Sequence, residues 1–454
     1  MPHVEKTVPA PEDQAPESPP PSPAAPRGPE GDGEILTEAA ASRAALAVSP
    51  ELVAGSLREY VRAWFVRIRA GESGILPVVI GLVVIAVIFQ TQNANFLTPG
   101  NLTNLLVQGA VIMLLGLGEV FALLLGEIDL SVGYVAGVAG VVAAELVVSP
   151  RNWPWWAAVA VALAVVAVIG LVQGTIITRL GLPSFVVTLA GLLASQGIML
   201  KLVGQGGTVP IPSDVINDFA NGTLTVGAGW VVTILAVAGF GALTWRRDAR
   251  RRASGLVAPP PSLTLLKILA VAAAGAALAL LVNANRGALV PVQGMPWVVL
   301  IVLGVLAAWT MLLGRTRFGR YVYAIGGNAE AARRAGVNLA RVRTAAFMLC
   351  SLTAGIAGIV YASRLRSVST NLDGGTLVLY AVAAAVIAGT SLFGGRGKAL
   401  HAVLGGIVIA AIANGMGLLG MAVATQLIVT ALVLLAAVTI DAVARRGRTA
   451  IGTG

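Results

Sequence analysis

Long apolar stretches separated by short polar connections dominate the chain from residue 75 onward. A hydrocarbon layer about 30 Å thick is crossed by roughly 20 helical residues, and backbone groups inside lipid must be hydrogen-bonded within their own segment. The stretches lack the strict alternation of an outer-membrane barrel, so each is predicted to be a helix. The twelve segments cover residues 75–90, 103–126, 130–148, 155–178, 184–203, 228–245, 263–283, 297–314, 344–363, 376–392, 399–417 and 421–441.

The predicted fold class is therefore all-α, a polytopic transmembrane helical bundle. Two pairs of segments could each form one broken helix, so we expect about 10 to 12 spans. The first and tenth segments are short for a span.

Basic residues test this arrangement, because Lys and Arg collect in cytoplasmic loops. With the N-terminus inside, most of them fall in alternate connections and both termini are cytoplasmic. The inside groups are Arg58 to Arg69, Arg179, Arg246 to Arg252, Arg315 to Arg343, Arg396 with Lys398, and Arg445 to Arg448.

The two ends of the chain have a different composition. Residues 1–50 contain proline runs and little apolar surface, which predicts a disordered cytoplasmic tail, with a regulatory arm as the alternative. Residues 51–74 form a basic juxtamembrane segment, residues 75–443 the membrane domain, and residues 444–454 a cytoplasmic C-terminal tail.

Composition excludes several functions. The chain has 454 residues, of which 57% are hydrophobic and 11% charged, and its mean hydropathy is +0.85. The net charge of +10 lies in short clusters between apolar stretches, so we expect no nucleic-acid partner. Cys350 is the one cysteine, so no disulfide and no thiol metal site can form.

Enzymatic motifs are also missing. The sequence GRGK at Gly395–Lys398 is followed by Ala399 where a phosphate-binding loop needs Ser or Thr. We expect no ATP site, no metal and no catalytic residue on this chain.

The connection at residues 315–343 is richer in sequence signals than a plain loop. Gly326 and Gly327 predict a turn, Asn328 is a good N-cap, and Glu330 begins a short run of helix formers that ends before Gly336. A short helix outside the membrane can dock a cytosolic partner and transmit its motion to the flanking helices. The alternative is an interfacial helix that rests on lipid headgroups.

Three strings resemble one family. GRYVYAIGGNAEAARRAGV (319–337), GEIDLSVG (126–133) and AGTSLFGGRGKALHAVLGG (388–406) are similar to motifs in permeases of the ribose, xylose and galactose importers, which are ATP-binding-cassette (ABC) transporters. GLPSFVVTLAGLLASQGI (181–198) also resembles the family, and the likeness runs from about residue 95 to 443.

The resemblance implies a permease that imports a monosaccharide across a bacterial cell membrane. It implies as partners a cytosolic ABC ATPase pair, which would bind ATP and magnesium, an extracytoplasmic sugar-binding protein, and a second permease copy in the bilayer. The arginines at 246–252 and the prolines at 259–261 exceed a minimal member and suggest the xylose-type branch.

By the same resemblance, residues 326–336 hold the coupling helix that docks on the ATPase. Small residues permit close docking, and Glu330 can pair with a basic partner. The residues assigned to this ATPase-coupling loop are Gly326, Gly327, Asn328, Glu330, Ala331, Ala332, Arg333 and Gly336.

Polar residues at or within the apolar segments are a second set of candidates. Glu127 and Asp129 stand at a junction of spans, where an isolated buried carboxylate is costly. Asp129 or Ser131 could cap the next helix; the alternative is a broken helix that lines the translocation path. The further members of this set are Gln108, Glu119, Gln196 and Asn414, and the spans also contain Glu145 and Gln173, each of which could bind helices together or touch a substrate.

Two other classes of function remain open at this point. In an ion-coupled secondary transporter, Glu119, Glu127 and Asp129 would carry protons. A membrane scaffold would have no substrate at all.

Overall fold

The computed structural model describes residues 76–256, 258–287, 291–433, 435, 436 and 439, together with Glu59 and Arg62. In the first half, the helices are α1 (Leu76–Gln92), α2 (Pro99–Leu124), α3 (Val132–Val147), α4 (Trp155–Leu180), α5 (Ser184–Val203) and α6 (Asp214–Asn221). They continue with α7 (Val226–Ala253), α8 (Pro261–Asn283), α9 (Trp297–Arg315), α10 (Arg317–Gly327), α11 (Ala329–Arg334), α12 (Leu339–Leu365), α13 (Gly374–Ile387), α14 (Ala399–Leu418) and α15 (Val423–Val433). Two short strands are β1 (Thr208–Pro210) and β2 (Ser367–Ser369).

The predicted all-α membrane fold is confirmed, since each of the twelve apolar segments contains a helix. Within the described residues, eight helices are long and apolar enough to cross a membrane, and α1, α3, α13 and α15 are shorter. The predicted tails at 1–50 and 444–454 lie outside the described residues, as does most of the basic segment 51–74.

An inner layer of α2, α3, α12, α13 and α14 forms the core. Every residue of α2 from Gly109 to Leu124 is buried. These helices pack closely because glycines let backbones meet: a Cβ on Gly405 of α14 would lie 1.8 Å from the carbonyl oxygen of Ala384 in α13. This small-residue packing is how helices associate where lipid removes most of the hydrophobic driving force.

Helices α7 and α8 form a peripheral hairpin that packs chiefly against itself. Its large apolar side chains, such as Leu235 and Leu269, point outward. An apolar surface of this extent on a chain of this composition faces lipid.

The connections gather at two opposite ends of the bundle. At one end β1 pairs antiparallel with β2, with Thr208 opposite Ser369, which joins two connections predicted to lie outside. At the other end lie the connections after α2, α9 and α13, all predicted to lie inside. Alternate connections therefore meet at the same end, as the distribution of basic residues predicts.

Two helices were not predicted. Helix α6 begins at the N-cap Ser213, whose hydroxyl accepts from the amide of Ile216, and it lies between α5 and α7. Helix α10 occupies the first part of the 315–343 connection and is capped by Thr316. Both are amphipathic and too short to be found by a search for membrane-length apolar runs.

Candidate functional site

Three connections meet at one end of the bundle. They are the break loop between α2 and α3 (residues 125–131), the helical knob made by α10 and α11 (residues 317–334), and the glycine loop between α13 and α14 (residues 388–398). Each overlaps one of the three strings on which the family resemblance rests. The amide of Gly395 donates to the carbonyl oxygen of Leu124 at 2.9 Å, and the hydroxyl of Tyr323 donates to the carbonyl oxygen of Gly397 at 2.8 Å.

Gly326 is the point of closest approach. A Cβ there would lie 1.8 Å from the carbonyl oxygen of Leu124 and 2.5 Å from the amide nitrogen of Gly395. No side chain fits between these backbones, so the knob is in backbone contact with the last residue of α2, where the break loop begins, and with the glycine loop.

Asn328 separates the two helices of the knob. It is extended, and its side-chain oxygen accepts from the amide of Ala331 at 2.9 Å, which confirms the predicted N-cap of the short helix α11. Asn338 caps α12 in the same way through the amide of Arg341. Gly336, at φ +82°, makes the turn between α11 and α12.

Two predictions about the knob were wrong. Gly326 and Gly327 do not form a turn, because they are the last two residues of α10. Ala332 is not available for docking, because it is buried within the chain itself. Its neighbours Glu330 and Ala331 are exposed, and so is Arg333, so α11 presents one face outward.

The outward face of α11 carries an ion-pair group. Glu330 accepts from Arg333 at 2.6 Å and from Arg334 at 3.1 Å. These hydrogen bonds lower the pKa of the Glu330 carboxyl. The face is therefore charged at neutral pH while its net charge stays small.

Arg343, near the N-terminal end of α12, links this helix to the break loop. Its Nε lies 3.0 Å from Oε1 of Glu127. The contact is ionic rather than hydrogen-bonded, since this Nε has no well-aligned acceptor among the described residues. Burial raises the pKa of Glu127, and the charge of Arg343 opposes that rise.

The break loop is anchored by a buried polar cluster, defined as Glu119, Asp129, Ser131, Gln173 and Cys350. Glu119 of α2 accepts from the amide of Asp129 at 3.0 Å, and Asp129 accepts from the amide (2.9 Å) and hydroxyl (2.6 Å) of Ser131. Gln173 of α4 donates to the Ser131 hydroxyl at 3.1 Å, and the Cys350 sulfur of α12 lies 3.8 Å from Glu119.

This cluster explains how a helix can break inside the bundle. A backbone amide freed from helical hydrogen bonding needs another partner in an apolar setting, and the carboxylates supply it. The predicted cap was wrong in detail: Ser131 is the N-cap residue of α3, but its side chain makes no capping bond, and Asp129 bonds Ser131 instead of the helix amides. Asp129 Oδ2 is left without a hydrogen-bond partner among the described residues.

The other candidate polar residues lie apart from this site. Asn414 of α14 exchanges two hydrogen bonds with Asn101 of α2, at 2.8 and 3.0 Å. Glu145 pairs with Arg151 at the end of α3. Gln108 and Gln196 are half-buried within α2 and α5, so whether any of these polar groups touches a substrate stays a prediction.

Sequence reasoning missed Tyr323, Arg343 and Gly397. Their contact partners lie 74 residues or more away along the chain, and one of these contacts is made to a backbone carbonyl. A pattern in the local sequence cannot indicate such a contact. An indirect signal for these residues was present, because they lie in or near the three strings on which the family resemblance rests. Within the described residues, no group of three His, Cys, Asp or Glu side chains could hold a metal ion.

Membrane-length helices around a broken helix, with a charged helical knob beside that break, define a multi-pass helical membrane protein. A family model described as "Branched-chain amino acid transport system / permease component" matches residues 101–438. The chain belongs to this permease family.

Curated relatives narrow the comparison. The chain is 36% identical over 356 residues to the xylose transport system permease protein of Escherichia coli K12. This alignment covers 78% of this chain and 88% of the relative. It is 31% identical over 384 residues to the ribose import permease protein of the same strain, and this alignment covers 85% of this chain and 96% of the relative. It is 28% identical over 359 residues to the D-allose transport system permease protein of that strain, with 79% of this chain and 88% of the relative covered. No solved structure matches the chain.

Proposed function

We propose that this chain is the membrane-spanning subunit of an ABC importer for a monosaccharide of the xylose type. The observation that carries the proposal is the backbone contact of the knob with the last residue of α2, where the break loop begins, in a chain whose curated relatives named above are xylose, ribose and D-allose permeases. The family description names branched-chain amino acids, so the substrate class needs its own test.

In this proposal ATP and magnesium bind a separate cytosolic ATPase, which docks on the exposed face of α11. Glu330, Ala331 and Arg333 form that face. A displacement of α11 is transmitted to α12 through the turn at Gly336. Helix α12 transmits it to the break loop through the Arg343–Glu127 pair. Packed helices shift as rigid bodies, so a small displacement of the knob changes the helix break directly.

A sugar-binding protein on the opposite side would deliver the substrate, and a second copy of the chain would complete the pathway between two bundles. A sugar that enters the pathway must also leave it, so its hydrogen bonds to the permease should be weak and spread over several sites. Specificity then rests largely on the binding protein, with Gln108 and Gln196 as candidate contacts.

The test uses the complete transporter, with its ATPase and sugar-binding protein, in proteoliposomes. Ala331→Trp places a bulky side chain on the docking face, and Ala422→Trp makes the same change at an exposed alanine in the connection between α14 and α15. We expect A331W to lose ATPase copurification and xylose uptake while A422W retains both.

Unchanged uptake by A331W contradicts the docking assignment. Accumulation of sugar by the isolated chain under a proton or sodium gradient, without ATPase, contradicts the ABC mechanism. Competition by leucine in place of xylose, ribose or allose would overturn the sugar assignment while leaving the coupling proposal intact.

A further inference from the structure

The C-terminal end of α7 carries a basic pocket that the transport mechanism does not use. Leu243, Arg246, Arg247, Arg250, Arg251 and Arg315 line it, and its volume is about 500 Å³. We call it the arginine pocket. Because Arg315 comes from the end of α9, the pocket joins two helices and is more than a run of charge along one of them.

Most of the charge in the pocket is not neutralised by the chain itself, because Arg247 is the one of its five arginines that pairs with an acid among the described residues. The nearby acid, Asp248, is fully buried and turned inward, where it accepts from the hydroxyl of Thr264 at 3.0 Å and pairs with Arg247. No acid within the described residues pairs with Arg246, Arg250, Arg251 or Arg315.

The spacing within α7 adds repulsion. Arg246 and Arg250 are four residues apart, as are Arg247 and Arg251, so each pair lies on one helix face. Like charges at this spacing destabilise a helix unless a counter-ion lies between them. The arrangement therefore favours a bound anion.

Apolar surface continues directly from the pocket. Leu243 is one of its walls, and the exposed Phe240 lies three residues before it on the same helix face, with Leu235 (66% exposed) further along α7 toward the lipid-facing part of the hairpin. A free phosphate ion or a nucleic acid would leave this surface uncovered. A molecule with an anionic head and acyl chains would cover both parts.

We propose that the arginine pocket binds the phosphate headgroup of an anionic phospholipid, with its acyl chains along α7. Arg252 has a separate role: it donates to the carbonyl oxygen of Pro259 at 2.8 Å, lies over the ring of Trp245, and so holds the turn between α7 and α8. The headgroup would tie this peripheral hairpin to α9, which leads into the knob.

The experiment is native mass spectrometry of the purified full chain in detergent, titrated with phosphatidylglycerol or phosphatidylcholine. The test variant is R246Q/R250Q/R251Q. The control is R317Q/R320Q/R341Q, which removes the same charge from exposed arginines outside the pocket at the same end of the bundle. Thermal unfolding of both variants checks that they are folded.

The parent chain should retain phosphatidylglycerol in preference to phosphatidylcholine. The test variant should lose at least about tenfold in phosphatidylglycerol affinity, because it removes three basic side chains beside the headgroup. The control variant should retain most of the parent's affinity, because its three arginines do not line the pocket. Arg315→Gln alone should weaken binding as well, since it lines the pocket from α9.

Four results would overturn the proposal. Equal losses in the test and control variants would mean that only net charge matters. Binding of glycerol phosphate as strong as that of phosphatidylglycerol would identify a soluble-anion site. Preferential binding of a single-stranded oligonucleotide that displaces the lipid would identify a nucleic-acid surface. If the triple variant does not fold, R315Q must show the loss by itself, and an R315Q protein with unchanged lipid affinity also overturns the proposal.

Discussion

Arg343 and Glu127 join the N-terminal end of α12 to the break between α2 and α3, with 3.0 Å between Nε and Oε1. Both ends of this link are anchored. Asn338 caps α12 just before Arg343, and the break loop is tied to α2 through the hydrogen bond between Glu119 and the amide of Asp129. A displacement of α12 is therefore passed to the broken helix by an ionic contact, in addition to the backbone contact at Gly326.

The pH dependence of stability tests the environment of Glu127. Burial raises the pKa of this carboxyl above its ordinary value of about 4.3. A raised acid pKa contributes stability in full below the ordinary value, and this is lost as pH rises through the folded-state pKa. Glu127→Gln cannot titrate, so its apparent Tm relative to the parent should rise as pH increases from 4 to 7.

Glu330→Gln is the matched control for that measurement, with the opposite sign. Hydrogen bonds from Arg333 and Arg334 lower the pKa of Glu330, so its contribution is present above the ordinary value and is lost as pH falls through the folded-state pKa. The apparent Tm of E330Q relative to the parent should fall as pH rises. The same sign in both variants would contradict the assigned environments.

Gly326→Ala tests the contact of the knob with the last residue of α2 and with the glycine loop. The added methyl group clashes with the Leu124 carbonyl and the Gly395 amide. These are backbone groups, so they cannot rotate away as a side chain could. Overpacking of this kind costs about 1–3 kcal/mol. Gly327→Ala is the control, because nothing lies within 4 Å of its Cβ position, and it should leave the apparent Tm unchanged or slightly higher. Equal destabilisation of the two variants would mean that the contact at Gly326 is absent.

Tyr323→Phe tests the link between the knob and the glycine loop. It removes the hydrogen bond to Gly397 O and should cost about 1 kcal/mol, measured by thermal unfolding in detergent. Tyr321→Phe, two residues away on the exposed face of α10, should change nothing measurable. A loss in Y321F equal to that in Y323F would assign the effect to the phenol group in general.

The helices in the long apolar segments were predictable because the information lies in local sequence. Twenty apolar residues between basic connections specify a span whatever it packs against. The cap at Asn328 was also local, since it depends on a side chain and an amide three residues apart.

The contacts that assemble the site were not predictable for the same reason. Gly326 looked like a turn residue, because a glycine pair in a connection usually is, yet its small size serves a close approach to α2 that only the folded chain creates. Ala332 looked exposed because α11 is short and polar, but the packing of α11 against α12 decides which face is covered. Glu119 was found as an acid within a span and Asp129 as an acid at a junction of spans, while their common role in closing a helix break needed the structure.

Asn101 and Asn414 allow a direct measurement of how polar side chains hold this bundle together. The two amides exchange hydrogen bonds of 2.8 and 3.0 Å between α2 and α14, away from the knob. We expect a double-mutant cycle of N101A, N414A and the double variant to give a coupling energy of about 0.6–1.7 kcal/mol from unfolding in lipid or detergent. Asn101 also donates to the carbonyl oxygen of Phe96, so N101A should cost more than N414A. A coupling energy near zero would mean that the pair is exchanged for other partners in the membrane, and that Asn414 is free to serve a passing substrate instead.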